Sequence, residues 1–337
     1  MKFGALAAAL VIAFGAQAPQ RLPLDSLPAE LSASAPFGLP AEIPVPLDNP
    51  FSAAKLALGR KLFFDPILSL DRSIACASCH QPEHGFAEPA RLSSGVGGAL
   101  TQRNAPSLFN RAFGERQMWD GKGASLEQQA LLPIENELEM ALPLDVALER
   151  LRADAQYSEL FATAFKDGVT RDNLARALAT FVRRLTFGDS PIDRFRTGEV
   201  AMITQQERTG MWLWESRAGC WKCHSGPNFT DEDFHATGIG VQSGEPEPGR
   251  AAITADAGDR GKFKTPTLRG LTLTAPYMHD GSLATLEEVV DFYARGGNPN
   301  SALDSRLAPF EATLEERAAL VAFLKALSRS GPPPQAR

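Results

Sequence analysis

All four cysteines of the 337-residue chain fall in two short motifs, CASCH at 76–80 and CWKCH at 220–224. A lone C-x-x-C suits a redox dithiol or half of a zinc site, and four cysteines in an exported chain suit disulfides. Here each pair runs directly into a histidine, and no cysteine is left over. That pattern attaches two c-type haems. Cys76 and Cys79 bond one porphyrin, Cys220 and Cys223 the other, and His80 and His224 bind the irons from the proximal side. A third stretch, PYMHDGSLATLEEVVDFY at 276–293, offers Met278, His279 and Tyr293 as ligands for the far side of the second iron. Methionine is the common sixth ligand of electron-transfer cytochromes, whereas a phenolate is hard and anionic and favours ferric iron. The choice separates passing electrons from storing oxidising power.

The elements that must position these residues read as helices. AAKLALGRKLFFD runs into the first motif and QQERTGMWLWESRAG into the second, so the chain repeats one plan. SLEQQALL opens on a capping box from Ser125 to Gln128 and is expected to stop at Pro133. RDNLARALATFVRRL sets Leu174, Leu178, Phe181, Val182 and Leu185 on one face. In the third stretch Thr285 and Glu288 form a capping box and Gly296-Gly297 ends the helix. Leu286, Val289, Val290 and Tyr293 then share a face, which turns Tyr293 toward the core. TLEERAALVAFLKALS is capped from Thr313 to Glu316, with a stripe of Leu314, Val321, Leu324 and Leu327 expected to pack on the first helix of the second half. Residues 225–275, rich in Gly, Asp and Pro, are expected to wrap the second haem as loops. The fold class is mainly α: two cytochrome c-like haem domains in tandem with long loops. The first is expected over 41–192 and the second over 193–330, divided at the turn-rich TFGDSPIDRFRTGE.

Composition is globular, 44% hydrophobic and 22% charged. Residues 1–18 read as a cleavable signal peptide: Lys2, an apolar run from Phe3 to Phe14, and Ala16-Gln17-Ala18 as the cleavage site. The run is short against the roughly 20 residues of a bilayer span, so a periplasmic protein without a membrane span in its mature chain is expected. Residues 19–40 are an extended, proline-rich lead-in. Losing Lys2 takes the formal net charge from −6 to −7, which argues against nucleic acid as a partner.

From about residue 41 to 328 the sequence resembles the bacterial di-haem cytochrome c peroxidases and their MauG-type relatives. The landmarks are LGRKLFFD, CASCH, RNAPSLFN, MWDGKGASLEQQA, ELEM, CWKCH, FKTPTLRG and TAPYMHDGS. The resemblance implies that haem 1 reacts with hydrogen peroxide and haem 2 exchanges electrons. It implies Ca²⁺ between them, held by the Asn104 side chain and the Thr274 and Pro276 carbonyls, oxygen donors that suit a hard cation. Trp119 matches the tryptophan between the haems. Glu139 matches the acid/base glutamate, and a carboxyl raised by burial can take and return a proton as peroxide is cleaved. Glu135 and Glu137 are its rivals. Gln129 and Pro133 match pocket-lining positions of the MauG-type enzymes.

One departure bears on the first haem. In relatives that need reductive activation, a distal histidine stands before RNAP; here that position is Val96, which cannot bind iron. His84, four residues past His80, is too near the proximal side to replace it. Haem 1 is therefore expected to be open to peroxide. For haem 2 the resemblance places the ligand fourteen residues past His279, at Tyr293, with Met278 the rival and His279 a haem-edge partner. The expected function is a periplasmic peroxidase-like oxidoreductase that shares oxidising equivalents between the haems through Trp119 and oxidises a partner protein by long-range electron transfer. The alternatives are a detoxifying peroxidase fed by a small electron-donor protein, and a di-haem electron carrier without peroxide chemistry.

Overall fold

The computed structural model describes residues 34–329; the signal peptide and most of the lead-in lie outside the described residues. The chain folds into α1 (Ala53–Phe64), α2 (Cys76–Cys79), α3 (Leu126–Glu135), α4 (Leu144–Ala153), α5 (Ala155–Ala164) and α6 (Arg171–Arg183). There follow α7 (Pro191–Arg196), α8 (Gln205–Glu215), β1 (Phe234–Ala236), α9 (Ala251–Thr254), β2 (Lys262–Lys264), α10 (Leu286–Ala294) and α11 (Leu314–Ala326). The mainly helical class holds. β1 and β2 pair antiparallel, with His235 opposite Phe263, and the rest of 225–275 is mostly turns and loops.

Two apolar cores form. One gathers Leu58, Leu62, Ile134, Phe161, Leu174 and Leu178, and the other gathers Leu213, Trp214, Phe229, Val290, Phe323 and Leu327. Each is built on one crossed helix pair, α1 on α6 and α8 on α11. Both crossings use the same device. A β-carbon at Gly59 would sit 1.9 Å from the Ala177 carbonyl oxygen, and one at Gly210 would sit 1.9 Å from that of Ala319. Only glycine lets the helices approach this closely.

Residues 103–133 repeat in 263–293 without a gap. Asn110 and Gly270 are both left-handed, Gln117 bridges Gly123 as Tyr277 bridges Leu283, and Ser125 caps α3 as Thr285 caps α10. Main-chain bonds tie the repeats reciprocally: Asn104 N–H donates to the His279 carbonyl at 2.9 Å, and Lys264 N–H to the Trp119 carbonyl at 2.7 Å.

Two local expectations are corrected. α3 does not stop at Pro133 but carries it in its last turn and ends at Glu135. The returning loop supports that turn, since Met140 N–H donates to the Pro133 carbonyl and Leu142 N–H to that of Ile134. Leu314 is 85% exposed rather than part of the stripe, because it is the first residue of α11 and precedes the buried face of Leu320, Val321, Phe323 and Leu324. Among the described residues no helix is long and apolar enough to cross a membrane.

Candidate di-haem site

A single cavity of about 610 Å³ runs between the two halves. It is lined by Cys79 and His80 from the first motif, and by Cys220, Cys223 and His224 from the second. Trp119, Gln129, Pro133, Glu139, Met278, His279 and Tyr293 line it too, with Asn104, Thr274 and Pro276. Cys76 is not on its wall; it packs against the first core, one turn from Cys79 on α2. None of the four cysteines is in a disulfide.

The two motif histidines are held alike. His80 Nδ1 lies 2.9 Å from the Phe86 carbonyl, and His224 Nδ1 lies 3.1 Å from that of Phe229. A carbonyl only accepts, so Nδ1 carries the proton and Nε2 keeps the lone pair that a metal needs. Burial lowers both pKa values, His224 to about 4, so the rings are neutral. Two neutral, oriented imidazoles on one cavity, each directly following a cysteine pair in sequence, fit two haems.

The repeat gives the distal positions a common frame. Fourteen residues past Trp119 is Pro133; fourteen past its counterpart His279 is Tyr293. α3 and α10 thus present equivalent positions to the cavity, one with a ring that has no donor atom and one with a phenol. Burial raises the Tyr293 hydroxyl above the ordinary phenol range, so it loses its proton only where a cation meets the oxygen. Met278 also lines the cavity, from a left-handed turn with φ of 73°.

Glu139 is half-buried, and its Oε1 accepts a 2.7 Å hydrogen bond from Asn136 Nδ2. Burial raises its pKa against the pull of Asn136 and Lys122. Glu135 and Glu137 are exposed. Val96 stands in a tight turn whose N–H donates to the Glu139 carbonyl at 2.8 Å. The loop in question therefore does reach Glu139, but with an aliphatic side chain. His84 is not on the cavity wall.

Between the halves, Trp119 Nε1–H donates to the Asn104 carbonyl at 2.9 Å. Its ring lies edge-on to His279, centroids 6.3 Å apart. His279 stacks on Phe263 at 3.6 Å and donates from Nε2 to Glu247 at 2.6 Å. Trp119 thus occupies the inter-half seam.

The oxygen donors for a cation also show in the repeat. Gly114 and Arg116 are the counterparts of Thr274 and Pro276, and their carbonyls are filled by Gln117 Nε2 at 2.9 Å and Arg111 Nη2 at 2.7 Å. Lys264 stands at the counterpart of Asn104, with Glu232 joining it to Arg111. In the first half the Arg111 guanidinium and the Gln117 amide occupy this place. In the second, among the described residues, neither the Thr274 nor the Pro276 carbonyl accepts a hydrogen bond. The donor set fits Ca²⁺.

Sequence reasoning missed Arg111, Glu232 and Lys264. It also missed His235, which donates to Asp304 at 2.7 Å and to Asp231 at 2.9 Å. Both carboxylates only accept, so His235 is a buried imidazolium. Burial alone would lower its pKa, but the hydrogen bonds to Asp231 and Asp304 raise it. Cys223, Asp231 and His235 are close enough to share a metal ion, but Cys223 already belongs to the second motif. No spacing signal marks these residues; only the fold gathers them.

The family model for di-haem cytochrome c peroxidase matches residues 53–201. The chain is 40% identical over 294 residues to the methylamine utilization protein MauG of Methylorubrum extorquens, spanning 86% of this chain and 83% of that protein. It is 34% identical over 366 residues to the cytochrome-c peroxidase IdrP1 of a Pseudomonas species, spanning 98% and 93%. Among solved structures, a MauG-like protein associated with microbial copper homeostasis matches with a TM-score of 0.78 and 34% identity, over 90% of this chain and 94% of that one.

Proposed function

Because this chain belongs to the di-haem cytochrome c peroxidase and MauG family, an oxidoreductase family acting with hydrogen peroxide, we propose that it is a MauG-type member. In this reading it holds two covalently attached haems, works in the periplasm, and oxidises a partner protein too large to enter the cavity. The observation that carries the reading is the pairing of Pro133 with Tyr293 at equivalent positions of the repeat. Pro133 would offer an iron no ligand atom, whereas Tyr293 would offer a hard oxygen.

The haems, when bound, supply the iron chemistry that reduces peroxide and retains its oxidising equivalents. The chain does the rest. His80 and His224 present Nε2 from rings oriented by Phe86 and Phe229. Glu139 takes the proton from one peroxide oxygen and returns it to the other, which leaves as water; its raised pKa lets it hold that proton in between. Gln129 and Pro133 line the space without ligating, and Trp119 bridges the seam. Asn104, Thr274 and Pro276 hold Ca²⁺ beside that seam.

Tyr293→Met tests this. The exchange should raise the second haem's potential, because a thioether favours the ferrous state. The oxidised variant should lose its ability to retain oxidising equivalents after peroxide. Unchanged potential and retention would exclude Tyr293 as the ligand and leave Met278. Removal of Ca²⁺ with a chelator, followed by metal analysis and the ferric spectra, should disturb both haems because the site lies at the seam; metal-free protein with unaltered spectra would contradict the calcium assignment.

A further inference from the structure

The two haem motifs differ at the positions between their cysteines. CASCH carries Ala77 and Ser78, and Ala77 packs against the first core. CWKCH carries Trp221 and Lys222, and Trp221 is 46% exposed. Tryptophan is ordinarily well buried, so a half-exposed indole at this place asks for a reason. Its position is set by covalent geometry. Trp221 follows Cys220 in a 3-10 turn, Cα atoms about 3.8 Å apart, and Cys223 lies two residues on. Both cysteines are attachment points for the second haem.

A second, small opening of about 60 Å³ lies at the same place. Cys220, Lys222, Cys223, His224, Tyr293 and Arg306 border it. It shares Cys220, Cys223, His224 and Tyr293 with the wall of the main cavity. Lys222 is exposed, and the Arg306 side chain is 42% exposed while pairing with Asp231 and Asp304. Trp221, beside this opening though not on its wall, offers an exposed aromatic face, and Lys222 offers an exposed positive charge; both favour an electron-rich ring.

We propose that Trp221 is a surface oxidation site through which phenolic rings give electrons to the second haem. This rests on the function proposed above and assigns the place where oxidising power leaves the protein. Trp221 loses one electron to the oxidised haem pair and regains it from a phenol docked on the indole. One peroxide takes up two electrons and two protons and becomes two waters. Two phenols each lose one electron through Trp221 and one proton to solvent, and depart as phenoxyl radicals. The donor never enters the main cavity.

Trp212 on α8 provides the internal control. It is 58% exposed, more than Trp221, but lies outside the haem motif. Diferric holoprotein is treated with peroxide and a nitroso spin trap, with no donor, and its peptides are mapped by mass spectrometry. The expected result is a trap adduct or added oxygen at Trp221 well above that at Trp212. Marking of Trp212 equal to or above Trp221 would overturn the proposal, since free peroxide in solution would then explain it.

Turnover supplies the second reading, with 2-methoxyphenol and an acidic tyrosine peptide as donors. Trp221→Phe should lower kcat/KM about tenfold, while Trp212→Phe should not. Loss with both donors assigns the site to phenols at large, and loss with the peptide alone assigns it to a protein-borne tyrosine. Full rates with both donors would overturn the proposal. The ferric EPR signals of the same samples separate the two claims. If they fall with peroxide but Trp221 stays unmarked, the exit site is wrong and the proposed function stands; if they do not fall, both are wrong.

Discussion

At the residue scale, division of labour comes from what each side chain cannot do. Pro133 cannot ligate, Val96 cannot ligate, and Tyr293 can, although burial makes its proton hard to lose without a cation at the oxygen. Glu139 is the one carboxyl among its rivals that is both half-buried and on the cavity wall. Glu139→Gln keeps the shape and the Asn136 neighbour but removes the proton carrier. Its reaction with peroxide, followed by stopped-flow absorbance, should slow by about 10²–10⁴-fold, whereas Glu137→Gln should react as the parent does. Trp119→Phe should react with peroxide normally yet oxidise the partner slowly. Equal behaviour of the Glu139 and Glu137 variants would remove Glu139 from the mechanism.

At the element scale, the helix pairs fix where the motifs stand. α1 on α6 and α8 on α11 cross over a glycine pressed to a carbonyl, and each first helix leads toward a haem motif. A methyl group at Gly210 has no room, so Gly210→Ala should cost about 1–3 kcal/mol, read as a lower denaturation midpoint. An unchanged midpoint would mean that the crossing is looser than described. Much of this was legible from periodicity. Leu174, Leu178, Phe181 and Val182 are all buried on α6, and the Thr285–Glu288 capping box opens α10 as expected. The α3 terminus was not legible, because Pro133 is tolerated where a returning loop satisfies the carbonyls of the last turn, a contact no local pattern encodes. Leu314 misled for a related reason: a stripe drawn on a helical wheel ignores that the first residue of a helix has no turn before it to pack beneath.

At the scale of the whole molecule, one unit repeated and then diverged at a few positions explains the asymmetry of the site. Trp119 faces His279, Pro133 answers Tyr293, and Gln117 with Arg111 fills carbonyls whose counterparts at Thr274 and Pro276 accept no hydrogen bond among the described residues. The two C-x-x-C-H motifs were legible because their residues are near neighbours in sequence. The cation mirror, the His235 clamp and the exposed indole at Trp221 were not. Each depends on which distant segments meet, and on how much of a side chain the fold leaves uncovered.

The most direct test of the account is made on the purified diferric protein: one equivalent of hydrogen peroxide is added and EPR and optical spectra are followed in time. If Pro133 leaves one haem open and Tyr293 closes the second, both ferric signals should fall together and a long-lived oxidised species should form without prior reduction. Ferric spectra that change only after the protein has been half-reduced would contradict the account, and would mark the chain as a peroxidase that must first accept an electron.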